Sequence, residues 1–453
     1  MKRNLTLWAI VSIIFFNVSG GPYALEGVLR AGAGLSLALI ILAPLVWSAP
    51  VALICAELGS AIPEEGGYYA WAKRTMGPFG GFCQGFWAWL FTSVNMAIYP
   101  TMFCDYLAYF FPTAGEQGNA LVRKGVMLAM IWGFVLLNLR GARAVGNLSK
   151  LFVLLVLSPF ACMVLVGVSA GIKAGGFPLS AVSPVVAEGS TFGAALASAI
   201  PIILWNFLGW DAISTIAGEM QDPRRDYPKA LFIASFLITL VYLIPTVIAL
   251  LFVGSTGVDW KTGAWSVAAE RIVGPRLGQF TGAMGMVAAA GLYSGLVLVS
   301  SRVPFVLAGD RFLPSALTKC NSRDAPWASL AACGLVYSFV VLFFQNVEEL
   351  AAADLTLYAA MVTMELLSFL ILRAREPELA RPFKVGGGWP GGMALCALPV
   401  VCLASAAYYH VGEFGFRNVI VKPLVALAVV PLLFPLVKMV HRARVQPDRG
   451  EHG

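Results

Sequence analysis

Twelve apolar blocks of 18 residues or more run through this 453-residue chain, at about 5–31, 34–61, 80–111, 122–139, 146–171, 191–217, 229–254, 277–308, 327–345, 350–372, 392–410 and 418–440. Blocks of that length with few charges read as helices crossing a bilayer, because a helix satisfies its backbone polar groups within itself. A membrane barrel would instead show segments of roughly ten residues alternating in polarity, and no such pattern is present. Only 12% of residues are charged and 59% are hydrophobic. That is half the charged share of about 25% in an average soluble domain. A soluble enzyme, a disordered chain and a secreted disulfide scaffold are thereby excluded. The first block begins like a signal peptide, but it lacks a small-x-small cleavage site and runs into a Gly-rich motif. It is read as the first span.

An even number of spans puts both termini on one side. Placing them in the cytoplasm of a cell membrane leaves 22 of the 31 Lys and Arg on the inner side, as the positive-inside rule requires. The net charge of +7 therefore reads as topology, with lipid as the surrounding partner, and not as a nucleic-acid surface. His410, His441 and His452 sit in or near polar loops or the tail, and the eight cysteines form no CxxC. No metal, haem or other cofactor is expected. No Gly-x-x-x-x-Gly-Lys-Ser/Thr loop is present for ATP-driven pumping.

Two blocks are interrupted. Ser19-Gly20-Gly21-Pro22 breaks the first, and Asn206-Phe207-Leu208-Gly209 breaks the sixth. Both contain Asn-x-x-Gly, as Asn17 with Gly20 and Asn206 with Gly209. Gly loosens a helix and Pro removes an N–H, so the hydrogen-bond ladder opens at these points. Opened backbone inside a membrane needs a protein-lined cavity. Breaks five spans apart predict two five-helix repeats of opposite orientation with a substrate site between them. The expected organisation is 1–172 and 191–372 as the repeats, 392–440 as a terminal hairpin and 441–453 as a cytoplasmic tail.

The stretch Pro63-Glu64-Glu65-Gly66-Gly67-Tyr68-Tyr69-Ala70-Trp71 with Gly77-Pro78, and Leu307 to Pro314 followed by Ala325-Pro326-Trp327, resemble the loops after helices two and eight of the amino acid–polyamine–organocation superfamily. The likeness covers nearly the whole chain. It implies an all-α membrane fold of twelve helices, the LeuT-like five-plus-five inverted repeat with helices one and six broken. Ser19 to Tyr23, Ala97-Ile98-Tyr99-Pro100 and Trp205-Asn206 with Trp210-Asp211 are closest to the plant-type polyamine uptake branch and its bacterial relatives. The chain departs from that branch where Asn17, Asn95 and Leu25 replace expected acids.

The resemblance implies that a substrate carboxylate meets free N–H groups of Gly20 and Gly21. The start of a half-helix near Tyr23 favours an anion there. A substrate ammonium would then meet carbonyls freed between Trp205 and Leu208. Trp205, Phe207 and Trp210 are candidates for an aromatic cover over the substrate. Asn95 and Tyr99, four apart, share one helical face and are candidates for the pocket. Asp211 is a candidate to bind an ammonium, carry a proton or cap the second half of helix six. Glu26 is placed near the outer end of helix one in solvent, and Glu57 and Glu219 near cytoplasmic ends as gate or ion-pair residues. Lys150, about one turn into helix five, resembles the lysine that takes the place of sodium in sodium-independent members, and is the candidate for proton coupling. The substrate-binding set is thus Asn17, Ser19, Gly20, Gly21, Asn95, Tyr99, Trp205, Asn206, Phe207, Gly209, Trp210 and Asp211. The expected function is a non-enzymatic permease that moves an amino acid by alternating access with protons. Polyamine or cationic amino acid uptake is the alternative on the same fold, and a membrane sensor without transport is the alternative of another class.

Overall fold

The computed structural model describes residues 3–115, 117–182, 185–343 and 347–445, with side chains outside 347–353, 413–414 and 438–445. Lys2, Arg449, His452 and the tail from residue 446 onward lie outside the described residues. Among the described residues the regular secondary structure is helical, apart from one isolated bridge between Leu5 and Met220.

Among the described residues the helices group in order into twelve units. Helix α1 is Leu7–Val18 continued by Pro22–Ala24 and Glu26–Leu29, and α2 is Ala33–Ala61. Helix α3 comprises Tyr68–Asn95 and Ile98–Ala108, α4 is Ala120–Asn138 and α5 is Ala142–Lys173. Helix α6 is Phe192–Trp205 continued by Ala212–Glu219, and α7 is Pro223–Phe252. After a short helix at Ala264–Ile272 come α8 (Pro275–Gly309), α9 (Trp327–Phe343) and α10 (Val347–Arg375). Helix α11 is Gly388–Phe414, and α12 is Arg417–Val421 running on into Lys422–Val445. Among the described residues nine helical runs are long and apolar enough to cross a membrane, and Phe192–Trp205 and Trp327–Phe343 are shorter apolar helices. The exterior of α5 and α12 displays Leu151, Leu154, Leu165, Leu424, Val429 and Leu432. Such an apolar surface is stable only against lipid.

Local chemistry starts these helices where the sequence allows. Asn119 Oδ1 accepts the N–H of Leu121 at the head of α4, and Thr191 Oγ1 accepts that of Ala194 at the head of α6. Pro223 and Pro275 open α7 and α8, where a missing N–H costs nothing.

Two features depart from the sequence reading. Residues 63–71 form a loop only as far as Gly67. Tyr68–Met76 is already helical, and the chain turns at Gly77 (φ 74°) before continuing as α3. Helix α3 itself is interrupted at Met96 and Ala97, a third break in what reads as one continuous block. The cause is Pro100, which lacks the N–H that would bond the Met96 carbonyl.

The interior is built around the broken α1. It packs on α5, α7 and α8, while α3 lies against both α8 and α10. Gly209 (φ 93°) brings the break of α6 against that of α1. A Cβ there would stand 2.6 Å from the Asn17 carbonyl oxygen, so only glycine fits both the backbone and the contact.

Candidate functional site

A narrow cavity lies where the breaks of α1, α3 and α6 meet, closed on its far side by α8 and α10. Its wall contains Asn17 and Gly20 from α1, Asn95 and Tyr99 from α3, and Trp205, Asn206, Gly209 and Asp211 from α6. Tyr68, Phe91, Thr92, Leu292, Leu296, Ser300 and Met361 complete much of the lining. The rings of Tyr99 and Trp205 stack with centroids 6.3 Å apart.

The remaining members of the sequence-derived set are buried behind this wall. Ser19 Oγ accepts the Gly21 N–H at 3.0 Å, so that donor is already used. Gly21 itself adopts φ 78° against Val156. Phe207 turns its ring edge-on to Tyr242, with centroids 5.1 Å apart, and Trp210 is fully buried off the lining. Of the three candidate covers, only Trp205 faces the cavity.

Two of the carbonyls expected to be free at the α6 break are capped by side chains, and Trp205 O takes the Leu208 N–H. Tyr242 donates its hydroxyl to Asn206 O and Trp47 donates Nε1 to Phe207 O, each at 2.9 Å. Asn206 Nδ2 bridges to Ala24 O at 2.9 Å and ties the two broken helices together. Continued α1 is also too short for a strong anion site. It is one 3-10 turn followed by the four residues Glu26–Leu29, and the macrodipole needs a longer run of aligned peptides.

What the wall offers instead is polar oxygen. Asp211 is 1% exposed and its Oδ1 accepts the Tyr358 hydroxyl at 2.9 Å. Its side chain makes no capping bond to the start of Ala212–Glu219, which removes the capping role. Asn17 has both amide atoms without partners, and Asn95 Oδ1 is likewise unpaired. Unpaired buried polar atoms are costly, and these leave open hydrogen-bonding capacity beside the cavity.

Three carboxyls escaped the sequence reading of the site. Asp354 on α10 accepts Asn95 Nδ2 at 2.7 Å, so the acid missing at position 95 is supplied from another helix. Glu365, one α10 stretch further on, accepts Gln84 Nε2 at 3.3 Å. Glu26 is 2% exposed and not in solvent. Tyr106 donates to it at 2.6 Å and the Gly263 N–H at 3.3 Å, because the 257–272 segment folds over the end of α1. All three are ionisable residues inside apolar blocks, which was the available signal.

Lys150 is half-buried in the third turn of α5, deeper than one turn, and outside the cavity wall. Glu57 and Glu219 are ion-paired. Arg373 clasps Glu57 with Nε and Nη2 at 2.9 and 2.6 Å, and Arg302 Nη2 lies 2.7 Å from Glu219. Among the described residues no group of three or more His, Cys, Asp or Glu is placed to hold a metal ion.

The family model described as amino acid permease matches residues 5–429. The polyamine transporter RMV1 of Arabidopsis thaliana is 29% identical, over 97% of this chain and 86% of that protein. The polyamine transporter PUT1 of Oryza sativa subsp. japonica is 30% identical, over 100% of this chain and 82% of that protein. An uncharacterized transporter of Legionella pneumophila is 23% identical, over 96% of this chain and 97% of that protein. A match across almost every helix, including both breaks and the cavity they enclose, makes this chain a multi-pass membrane permease of the amino acid permease family, within the amino acid–polyamine–organocation superfamily.

Proposed function

We propose that this permease carries an amine-bearing organic cation, of the polyamine type, across the cell membrane by alternating access. Asp211 carries the reading. It is a carboxylate on the cavity wall, and no Lys, Arg or His stands on that wall with it. An ammonium would bond Asp211 and the free oxygen of Asn17, with Tyr99 and Trp205 offering π faces to the cation. The names of the plant relatives support the same substrate class.

A zwitterionic amino acid is the second reading, favoured by Gly20, whose backbone reaches the wall at the first break. It competes poorly because the Gly21 N–H is occupied by Ser19 and the helix beyond is short. Competition decides between them. Putrescine and spermidine should displace bound label from purified protein, and neutral amino acids should not. Displacement by amino acids alone would reverse the assignment.

The halves 1–172 and 191–372 would act as inverted repeats rocking about the cavity, with 392–440 as a peripheral hairpin and both termini cytoplasmic. Protons would drive the cycle. Lys150 is a candidate participant, because it lies one turn beyond Gly146, whose face packs on Ala9 of α1. Uptake into proteoliposomes that responds to sodium and ignores an imposed proton gradient would remove the proton from the scheme.

A further inference from the structure

Helices α3 and α10 run antiparallel along a polar seam. Asn95 meets Asp354, Phe91 meets Tyr358 and Gln84 meets Glu365. The two amides are eleven residues apart on α3, and the two carboxyls are eleven apart on α10. Eleven residues are close to three helical turns, so both pairs share one face and stand about 16 Å apart along the axis. Tyr358 lies between them and holds Asp211.

In each pair the amide nitrogen donates to the carboxyl, while the amide oxygen is left buried and unpartnered. Gln84 Oε1 and Asn95 Oδ1 are both in this condition, as is Asp354 Oδ1. A carboxylate has no hydrogen to give such an oxygen. A carboxylic acid does, and a primary amide and a carboxylic acid close a ring of two hydrogen bonds that satisfies both groups. The surroundings point the same way. Groups interacting electrostatically with Glu365 are Asp211 of α6, Cys55 of α2, Tyr68 of α3, Tyr227 of α7 and Tyr358 of its own helix. Those around Asp354 are Asn95 and Tyr99 of α3 and Trp205 of α6. None carries positive charge, and a buried ion without a counter-ion is strongly disfavoured.

We propose that Asp354 and Glu365 are neutral carboxylic acids paired with Asn95 and Gln84, and that they are proton-binding stations of the transport cycle on either side of Asp211. This rests on the reading of the cavity as a cation site, because an ammonium and a proton then compete for the Asp211 carboxylate. In the forward step the O–H bond of Asp354 breaks and one forms on Asp211, through water admitted as the cavity opens. Asp354 is left as a carboxylate until it is reprotonated. Glu365 first releases its own proton to water on its side of the cavity, and the carboxylate so formed takes the proton from Asp211.

Infrared spectroscopy and transport test this on the purified full-length protein. Asp354→Asn and Glu365→Gln preserve shape and can form the same two-bond ring as amide pairs. At neutral pH the unliganded wild type should show buried acid carbonyl bands, one lost in each variant. In proteoliposomes with labelled putrescine, accumulation driven by an imposed proton gradient should fall to simple equilibration in both variants. Glu365→Asp, which keeps an exchangeable proton, should restore part of it. Unchanged acid bands in both variants, or gradient-driven accumulation at the wild-type level in both, would overturn the proposal. The infrared readout needs no substrate. If the bands are lost as expected but putrescine is not carried, the acid pairs stand and only the substrate reading fails.

Discussion

Buried carboxylates occur in this protein in two kinds of company. At one end of the bundle Glu57 is held by Arg373 and Arg381, and Glu219 by Arg302. Elsewhere in the interior Asp211 on the cavity wall, and Asp354, Glu365 and Glu26 behind it, have uncharged partners, from hydroxyl, amide, indole or backbone groups. The first kind is electrically complete. Arg302 also donates to Leu298 O and Ser301 Oγ, so its geometry is fixed from several directions. The second kind has no cationic partner within the fold, and in our proposal a proton or a cation from outside completes it. Full pairing fastens helices together, and partial pairing leaves a group free to exchange its partner during a cycle.

The comparison is broken most forcefully at the paired end. Arg302→Met leaves Glu219 buried and alone, and should cost about 3–5 kcal/mol. That loss would be read as a large drop in thermal stability in detergent. Adding Glu219→Leu to the same chain should recover most of it, and equal stability of the single and double variants would show that the pair is not a structural fastener. At the cavity the order reverses. Asp211→Asn should leave the melting temperature nearly unchanged and weaken putrescine binding tenfold or more, given the ~1.5–3 kcal/mol typical of a hydrogen bond to a charged group. A large stability loss with intact binding would move Asp211 into the structural group.

Tyr358→Phe sharpens the contrast more gently. It removes the hydroxyl that orients Asp211 and should weaken binding roughly fivefold, from ~1 kcal/mol. No change in affinity would mean that Asp211 is positioned by its backbone alone. The smallest effect belongs to a surface pair, Arg74 before the Gly77 turn with Glu376 just past α10. The Arg74 guanidinium holds the Glu376 carboxyl below its ordinary value. Its contribution is therefore present above the usual carboxylate range and fades as the pH falls through the lowered value. Arg74→Gln should cost at most about 1 kcal/mol, and less at high salt. A pH-independent loss would separate this pair from the titrating groups.

The breaks of α1 and α6 were legible because Gly and Pro act on the backbone within a few residues. Asn17, Gly20, Asn206, Gly209 and Asp211 follow from them directly, since each lies in or beside a break. Asn95 and Tyr99 reached the wall for a reason the sequence did not disclose. Helical spacing suggested one face, yet the helix stops between them at Met96. Phe207 and Trp210 were indistinguishable from Trp205 in sequence. Three aromatic residues near one break can point in different directions, and Tyr242 and Trp47 from other helices determine which does.

By itself the sequence determined the environment, the helical class, the places where helices must open and the permease family. These depend on composition, local backbone chemistry and contiguous motifs. Only the tertiary structure decided which buried carboxyls meet arginines and which meet amides. Asp354 serves Asn95 and Glu365 serves Gln84 across the α3–α10 seam, over separations of 259 and 281 residues. The physical reason is that the cost of a buried charge depends on what stands a few ångströms away, and those neighbours come from distant parts of the chain.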